Sequence, residues 1–440
     1  MKVYLDTVGC RLNQSEIETY AREFRAAGHS LVAVMEEADM MVLNSCSVTA
    51  PAASDSRGKI RQAQRAGVGE IIVTGCWSTL EPGFAADMPG VTKVVPNTNK
   101  DNLVSDLLEI DINEFDFEPI ARTPIPGSRQ RTRAFIKVQD GCNNHCTFCV
   151  TTIARGIGRS RTIRDVISDV RAAVKGGAKE IVLTGVHLGS WGHDFEKPAH
   201  LHTLISKILE LTDIPRIRVS SLEPWDLDAS FFELWGDARM CRHLHLPLQS
   251  GSVVTLRRMA RKTSPQDFAA LVQAARTAIP DVAITTDVIA GFPGESDAEF
   301  EDTLTFVEQM QFAGGHIFTY SARPGTTAAS MPKQVHNATR KERNTQLRKL
   351  VSKSSERYQQ QFVGQELSIL WENMEENIFG GWSLEGLTDN YIRVAAQSSQ
   401  PLWNQITATR ISAANNGNLV GSVLETPADI WFENAIGGAV

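Results

Sequence analysis

The sequence predicts an α/β protein with an N-terminal parallel-sheet α/β domain, a central open (β/α)6 partial barrel and a small C-terminal β-barrel. Strands alternate with helices over the first hundred residues, the alternation returns between residues 134 and 320, and short strands follow one another after Gly364. A length of 440 residues is too great for one ordinary core, which also favours two or three domains. We expect the domains at residues 1–104, 128–360 and 361–426.

The composition limits the class of protein. A hydrophobic content of 42% and a charged content of 22% are typical of a globular chain. The net charge of -7 argues against unspecific nucleic-acid binding, although a local basic face is enough to bind RNA. The chain starts without an apolar signal core and has no run of about twenty apolar residues, which predicts a cytoplasmic protein with no membrane partner. Seven cysteines, an odd number, argue against a disulfide framework.

The first hundred residues contain three predicted strands, each followed by a cysteine. Strands at residues 3–7, 39–44 and 70–74 precede Cys10, Cys46 and Cys76, and Asn13 is the expected cap of a helix from about residue 15. Parallel strands joined by right-handed crossovers end at one sheet edge, where open sheets bind ligands. A lone free cysteine is usually a small buried hydrophobe. Three cysteines in equivalent positions instead predict a shared metal site, and we call them the N-terminal trio.

A second set of three cysteines lies close together in the chain, at Cys142, Cys146 and Cys149, and we call it the core trio. Three thiolates on a four-iron cluster leave one iron without a protein ligand and open to substrate. A structural zinc site needs four ligands, and His145 has little freedom to turn inward as the fourth. We therefore favour an iron-sulfur cluster over zinc at the core trio, and a second three-cysteine cluster at the N-terminal trio.

The spacing of the core trio resembles that of radical S-adenosylmethionine enzymes. The run from Gly141 to Ala154-Arg155-Gly156 resembles one branch, the methylthiotransferases, although Thr151-Thr152-Ile153 stands where members commonly have Ile-Pro-Tyr. The first hundred residues resemble the N-terminal domain of the same family. Three segments around the first two cysteines carry a closer resemblance, and these are residues 9–16, 45–49 and 55–57. They are most similar to the branch of the family that acts on threonylcarbamoyl-adenosine in tRNA. Branches that act on isopentenyl-adenosine or on a ribosomal-protein aspartate are the alternatives.

The resemblance implies two 4Fe-4S clusters, one on each trio, and S-adenosylmethionine bound at the core trio. It implies that a deoxyadenosyl radical removes hydrogen from C2 of the modified adenosine and that the second cluster carries the sulfur. The expected partners are the tRNA anticodon loop, an electron donor such as flavodoxin or ferredoxin, and a sulfur source. The residues implied to line the S-adenosylmethionine pocket are Phe148, Gly185, Ser221, Glu223, Gln249 and Arg261.

Several of these pocket residues also follow predicted strands of the partial barrel, where barrel active sites lie. Histidines within such strands are more often hydrogen-bonded core groups than catalysts, so we assign no role to His187, His243 or His245. Cys241 is expected to be a packed, inert thiol.

Basic residues suggest where RNA binds. Residues 340–357 form a predicted helix with seven basic and two acidic side chains, and the five strands expected after Gly364 resemble the TRAM domain with which the family grips RNA. Further basic residues precede the core trio, namely Arg122, Arg129, Arg131, Arg133 and Lys137. A solvated charged face is the plain alternative for these residues. For the whole chain, the non-enzymatic alternative is an RNA-binding module that holds a metal or a cluster.

Overall fold

The computed structural model describes residues 1–47, 49–110, 132–378, 380–415 and 417–424. The expectations for Arg122, Arg129 and Arg131 lie outside these residues. Within them, no helix is long and apolar enough to cross a membrane. The expected domain limits stay predictions, and the three parts are described below in chain order.

The N-terminal part is a parallel sheet with the strand order β2-β1-β3-β4-β5. Its strands are β1 (Lys2–Thr7), β2 (Ser30–Leu31), β3 (Met40–Ser45), β4 (Glu70–Gly75) and β5 (Val91–Val95). Its helices are α1 (Arg11–Ala26), α2 (Ala50–Arg65), α3 (Cys76–Leu80), α4 (Pro82–Ala86) and α5 (Leu103–Leu108). The three predicted strands are confirmed. The edge strands β2 and β5 were not predicted, because β2 has two residues and only one of the five residues of β5 is buried.

The predicted start of the first helix is wrong. The helix α1 begins at Arg11 with Cys10 at its N-cap position, so Asn13 lies inside the first turn. The side-chain amide of Asn13 donates hydrogen bonds to the carbonyl oxygens of Val8 and Ser45, at 2.9 and 3.2 Å. Asn13 therefore joins the ends of two neighbouring strands and does not cap a helix.

The central part confirms the prediction of six strand–helix units in an open barrel. The strands β6, β9 and β10 form one parallel sheet and β11, β12 and β13 another, and a bridge between Ser221 and His245 joins the halves. Among the described residues, β6 and β13 do not pair, so the barrel is open on that side. The strands are β6 (Arg133–Lys137), β7 (Gln139–Asp140), β8 (Arg159–Ser160), β9 (Glu180–Thr184), β10 (Arg216–Val219), β11 (His243–His245), β12 (Ala283–Ala290) and β13 (Gly314–Thr319). The helices are α6 (Thr151–Arg155), α7 (Ile163–Lys175), α8 (Leu201–Leu211), α9 (Val253–Arg258), α10 (Pro265–Ala278), α11 (Asp297–Met310) and α12 (Asn337–Gln360).

Neighbouring helices contact both edges of the open barrel. The α1 hydroxyl of Ser15 donates to the carbonyl oxygen of Phe135 in β6, at 2.9 Å. On the other side, the α12 amide of Asn344 donates to the carbonyl oxygen of Ile317 in β13, at 3.0 Å. These bonds satisfy edge groups that would otherwise invite another strand to pair.

The C-terminal part is a closed barrel with the strand order β14-β15-β16-β18-β17, and its five predicted strands are all present. They are β14 (Glu366–Glu376), β15 (Trp382–Thr388), β16 (Arg393–Ser398), β17 (Ile406–Asn415) and β18 (Asn418–Val423). The turn after β15 contacts the amino-terminal ends of the core strands, where Tyr391 stacks on His243 with ring centroids 4.4 Å apart. This barrel therefore caps the end of the core that is opposite to the core trio.

The buried guanidinium of Arg218 joins the core to the C-terminal barrel. It contacts both carboxylate oxygens of Glu180, at 2.7 and 3.1 Å, and donates to the carbonyl oxygens of Thr388 and Asp389, at 3.1 and 2.9 Å. Neither the Arg218 nor the Glu180 side chain is accessible to solvent. Loss of Arg218 would leave the buried Glu180 carboxylate with the more distant guanidinium of Arg216, whose Nη1 lies 4.0 Å away.

We expect Arg218→Met to destabilise the protein by about 1.5–3 kcal/mol, because the buried Glu180 carboxylate loses its two charge-assisted hydrogen bonds and keeps Arg216 at 4.0 Å. Urea unfolding followed by tryptophan fluorescence measures the effect, and limited proteolysis should release the C-terminal barrel earlier. Arg410→Met is the matched control, since Arg410 pairs with Glu366 on the exposed surface and should contribute less than about 1 kcal/mol. Equal shifts in the two variants would contradict the prediction.

Candidate active site

The core trio lies on a loop between β7 and α6 whose shape requires glycine. Gly141 has a φ of +70°, and a Cβ atom there would lie 1.9 Å from the carbonyl oxygen of Ile157. The backbone N–H of Thr147 donates to the carbonyl oxygen of Met259 at 3.1 Å, and its hydroxyl donates to that of Arg258 at 2.8 Å. Thr147, which lies between two of the cysteines, thus attaches the middle of the loop to the end of an α-helix of the core (Val253–Arg258).

Each thiol of the core trio has a polar neighbour. The Cys142 and Cys149 sulfurs each accept from a backbone N–H two residues further on, at 3.4 Å, and the Cys146 sulfur lies 3.8 Å from Nη1 of Arg261. Burial raises the pKa of Cys146, and the positive charge of Arg261 partly offsets the rise. Cluster ligands are thiolates that commonly accept such hydrogen bonds, so these three side chains fit a cluster.

His187, to which we assigned no role, lies beside the core trio. Its Nε2 is 2.5 Å from Oδ2 of Asp226, and its ring also contacts Asn144 and Cys142. Burial lowers the pKa of His187, but the hydrogen bonds with Asp226 and Cys142 outweigh burial and raise it to about 9. The other two strand histidines, His243 and His245, bond to Thr285 inside the core, as expected of hydrogen-bonded core groups.

The structure places the candidate fourth zinc ligand, His145, in an exposed position. Among the described residues, no group of three His, Cys, Asp or Glu side chains is arranged to hold one metal ion. The preference for an iron-sulfur cluster over zinc at the core trio stays a prediction.

The N-terminal trio gathers at the carboxyl edge of the parallel sheet, after the adjacent strands β1, β3 and β4. A Cβ atom on Gly9, which has a φ of +105°, would lie 2.5 Å from the sulfur of Cys46, so only glycine permits this approach. Cys10 is exposed whereas Cys46 and Cys76 are buried, and the Cys10 and Cys76 thiols interact electrostatically with each other. All seven cysteines are outside disulfide bonds.

The two trios lie on facing sides of one interface. The helix α3, which starts at Cys76, packs against α6, which directly follows the core trio. The buried amide of Asn97 donates to the sulfur of Cys76 at 3.7 Å and to the carbonyl oxygen of Ala154 at 2.7 Å. Arg155 interacts electrostatically with both Cys10 and Cys76. One side chain of the core therefore reaches the cysteines of the N-terminal part.

A group of buried charged side chains holds this interface together, and we call it the interface network. It consists of Glu16 and Lys100 from the N-terminal part and of Lys137, Asp140 and Arg155 from the core. Nζ of Lys100 lies 2.5 Å from Oε1 of Glu16 and 3.3 Å from Oδ2 of Asp140, and Nη1 of Arg155 contacts the same two carboxylates at 3.2 and 2.9 Å. Burial alone would raise the pKa of Glu16, but the charges of Lys100, Arg155 and Lys137 lower it to about 2. The Glu16 carboxylate is therefore ionised at neutral pH.

Two of the expected pocket residues form an ion pair at the core trio. The Glu223 carboxylate receives both Nη groups of Arg261, at 3.1 and 2.6 Å. The Arg261 guanidinium also lies 4.4 Å from the ring centroid of Trp225, over the ring face. Sequence reasoning missed Trp225 and this pairing, since 38 residues separate Glu223 from Arg261.

The remaining expected pocket residues lie at the same end of the core. Phe148 packs in an apolar cluster with Phe292, ring centroids 6.3 Å apart. Gly185 lies against Gln139, where a Cβ atom would be 3.1 Å from the Gln139 side chain. Gln249 has a φ of +73°, and Ser221 bridges to His245. Gln139 was also missed, although its position three residues before Cys142 is a sequence signal.

Gln139 orders the loop that follows β9. Its Oε1 accepts from the backbone N–H groups of Val186 and His187, at 3.0 and 2.9 Å, while its Nε2 donates to the carbonyl oxygen of Gly141 at 2.8 Å. One buried amide thus fixes two strand ends to the loop that carries the core trio.

The segment Thr151-Thr152-Ile153, which differs from the Ile-Pro-Tyr common in the family, forms a helical turn after the core trio. These residues begin α6, and the hydroxyl of Thr152 donates to the carbonyl oxygen of Asn144 at 3.1 Å. Ile153 is 52% exposed and its Cδ1 lies near Gly325.

Comparisons with known proteins match both halves of the site. Residues 136–307 match the model of the Radical SAM superfamily, and residues 2–95 match that of the uncharacterized protein family UPF0004. The chain is 35% identical to threonylcarbamoyladenosine tRNA methylthiotransferase MtaB of Bacillus subtilis (strain 168), over 95% of this chain and 96% of that one. The chain belongs to the methylthiotransferase family of radical S-adenosylmethionine enzymes.

Other methylthiotransferases are similar over comparable lengths. MtaB of Thermotoga maritima is 35% identical over 84% of this chain and 86% of its own length. The tRNA-2-methylthio-N(6)-dimethylallyladenosine synthase of Bacillus cereus (strain B4264) is 30% identical over 98% and 87%. Among solved structures, the radical S-adenosylmethionine methyltransferase TsrM from Kitasatospora setae shares the fold, with a TM-score of 0.57 and 14% identity over 74% of this chain and 75% of that one.

We expect Lys100→Met to destabilise the protein by about 1.5–3 kcal/mol, because the buried Glu16 and Asp140 carboxylates lose one of their three cations and keep Arg155 and Lys137. Thermal unfolding and limited proteolysis between the N-terminal part and the core measure the effect. Lys59→Met is the control, because Lys59 pairs with Asp6 at 2.6 Å in a partly exposed position and should contribute less than about 1 kcal/mol. Equal unfolding temperatures of the two variants would contradict the larger contribution of the interface network to stability.

Proposed function

We propose that this methylthiotransferase adds a methylthio group to C2 of N6-threonylcarbamoyladenosine beside the anticodon of tRNA. The observation that carries the proposal is the placement of two three-cysteine sets on facing sides of one interface. Relatives that are named for this substrate match nearly the whole chain, which supports the choice of nucleoside. The branch named for dimethylallyladenosine is similar at 30% identity and is the alternative within the family.

In this proposal the core trio holds a 4Fe-4S cluster. When bound, the cluster and S-adenosylmethionine supply a radical able to remove hydrogen from an unactivated aromatic carbon. The residues of the chain hold and orient the reactants. Phe148, Gly185, Ser221, Glu223 and Gln249 line the S-adenosylmethionine pocket, and Arg261 holds Glu223 in place beside Cys146.

The N-terminal trio, in this proposal, holds a second 4Fe-4S cluster that carries the sulfur to be transferred. Hydrogen bonds and nearby positive charge favour the reduced, more negative states of such clusters. Asn97 supplies a hydrogen bond, which it donates to the sulfur of Cys76. Arg155 supplies a positive charge near Cys10 and Cys76. A sulfur source would have to reload this site after each turnover.

The proposed partners follow from the same chemistry. An anticodon loop presents unpaired bases that a protein can splay out and read, and the basic helix α12 and the C-terminal barrel are the proposed contacts. A flavodoxin or ferredoxin is the proposed electron donor. We place the enzyme in the cytoplasm, where tRNA is modified and thiols stay reduced.

We expect Cys146→Ala to lose about half of the iron of the anaerobically reconstituted protein and to form no deoxyadenosine, since one of two equal clusters loses a ligand. Iron analysis and chromatographic detection of deoxyadenosine check this. Cys241→Ser is the matched control, because Cys241 is a buried thiol outside both trios and its pKa is raised to about 12 by burial. Continued deoxyadenosine formation in Cys146→Ala would refute the assignment of the core trio.

Nucleoside mass spectrometry of tRNA from a strain that lacks this gene tests the proposed substrate. We expect the 2-methylthio form of N6-threonylcarbamoyladenosine to disappear and its unthiolated precursor to accumulate. The 2-methylthio form of isopentenyl-adenosine should be unchanged, since another branch of the family forms it. Loss of the isopentenyl product alone would assign the enzyme to that branch.

A further inference from the structure

A groove runs along the open edge of the central barrel, between the last core strand and the basic helix. Its volume is about 660 Å³, which lies in the range of about 300–1,000 Å³ usual for ligand pockets. We call it the edge groove. It is lined by residues of β13, by one face of α12 and by the turn of the C-terminal barrel at Gly417, and the lining residues that matter below are His316, Phe318, Arg348, Ser352 and Glu356.

Two aromatic side chains of β13 border the groove from the strand face that is turned away from α12, where the His316 ring centroid lies 6.0 Å from that of His245. His316 is exposed and Phe318 is 40% exposed, and their ring centroids lie 6.3 Å apart. Exposed aromatic rings of this size are rare on the described surface of this chain, where Phe84 and Phe318 are the exposed phenylalanines. Flat rings open to solvent are the surfaces on which unpaired bases stack.

The α12 side of the groove offers fixed hydrogen-bonding groups. Arg348, Ser352 and Glu356 follow one another at four-residue intervals along α12 and therefore lie on one face. Nε of Arg348 donates to Asn344 at 2.8 Å and its Nη2 donates to the carbonyl oxygen of Ile317 at 3.2 Å, so the guanidinium is already oriented. A donor, an acceptor and hydroxyl groups on one side of the free edge of β13, with a ring surface on its other side, suit a nucleotide that lies along this edge.

The position of the edge groove connects the C-terminal barrel with the core trio. It starts at Gly417, and β13 rises from there by about 20 Å over its six residues. Tyr320 follows β13 and packs on Phe292 at 5.4 Å, and Phe292 in turn packs on Phe148 between the cysteines. An RNA strand held by the C-terminal barrel would cross the groove on its way to the reaction centre.

We propose that the edge groove binds an unpaired nucleotide of the RNA substrate, next to the nucleotide that is modified, with its base stacked on Phe318 and His316. This inference rests on the proposed function, because it requires an RNA substrate. It adds a binding site for a base that is not itself altered. Such a binding site would explain why two aromatic rings are exposed at the open edge and why an arginine is held in one orientation beside them.

The test is the affinity of the full-length protein for an unmodified tRNA transcript and for its anticodon stem-loop, measured by fluorescence anisotropy at one fixed salt concentration. We expect Phe318→Ala to weaken binding by about 5- to 150-fold, the effect of losing one stacked base. Phe318→Tyr should keep nearly full affinity, because the ring face remains. Leu211→Ala is the matched control, since Leu211 is a 41% exposed apolar residue at the end of α8 and should leave binding unchanged.

A crosslinking measurement keeps the proposal testable if a variant folds poorly. In the wild-type protein, 4-thiouridine placed beside the target adenosine should crosslink to the peptide that contains residues 314–318. The groove proposal alone would be overturned if the wild-type protein bound RNA, Phe318→Ala bound it with the same affinity, and no crosslink to that peptide formed. This result is expected if the groove instead binds a protein partner or a second copy of the chain. Failure of the wild-type protein to bind either RNA would overturn the proposed function together with it.

Discussion

The structure depends on a set of buried charges between the N-terminal part and the core. Taking five ionised groups out of water is costly, and apolar residues of similar size often stabilise a protein as well or better. The members of the interface network therefore need a reason beyond stability. Asp140 lies two residues before Cys142, and Glu16 lies in the helix that starts beside Cys10. Ion pairs have definite geometry, so these fix how one trio faces the other.

The two ends of the central barrel differ in what they contact. At the carboxyl ends of the strands lie the core trio and the pocket residues, and at the amino-terminal ends lies the C-terminal barrel, held by Arg218 and Tyr391. The oxygen of Tyr391 also accepts from Arg11 at 2.5 Å, and Arg11 follows Cys10. A single turn of the C-terminal barrel thus contacts both of the other parts. The proposed RNA-binding part is therefore rigidly placed relative to the cysteines.

The features of the fold that depend on chain direction and on hydrophobic periodicity could be predicted from the sequence. Parallel strands end at one edge, so the meeting of Cys10, Cys46 and Cys76 followed from topology before any coordinates. Asn13 was misread because asparagine is a frequent helix cap, whereas here its amide joins two strand ends that only the folded sheet brings together. Pairs such as Glu223 with Arg261 depend on how loops dock, and no local pattern encodes that.

The charges of the interface network balance, so their placement is what matters for the cysteines. Three buried cations, Lys100, Lys137 and Arg155, face the buried carboxylates of Glu16 and Asp140, and Lys137 also contacts the carboxylate of Asp101 at 2.7 Å. Within this group, the Arg155 guanidinium interacts electrostatically with Cys10 and Cys76. In a region shielded from water, a positive charge stabilises a nearby thiolate more strongly than it would at the surface. Replacing the network with apolar residues would keep the packing but would remove the guanidinium from beside these two cysteines.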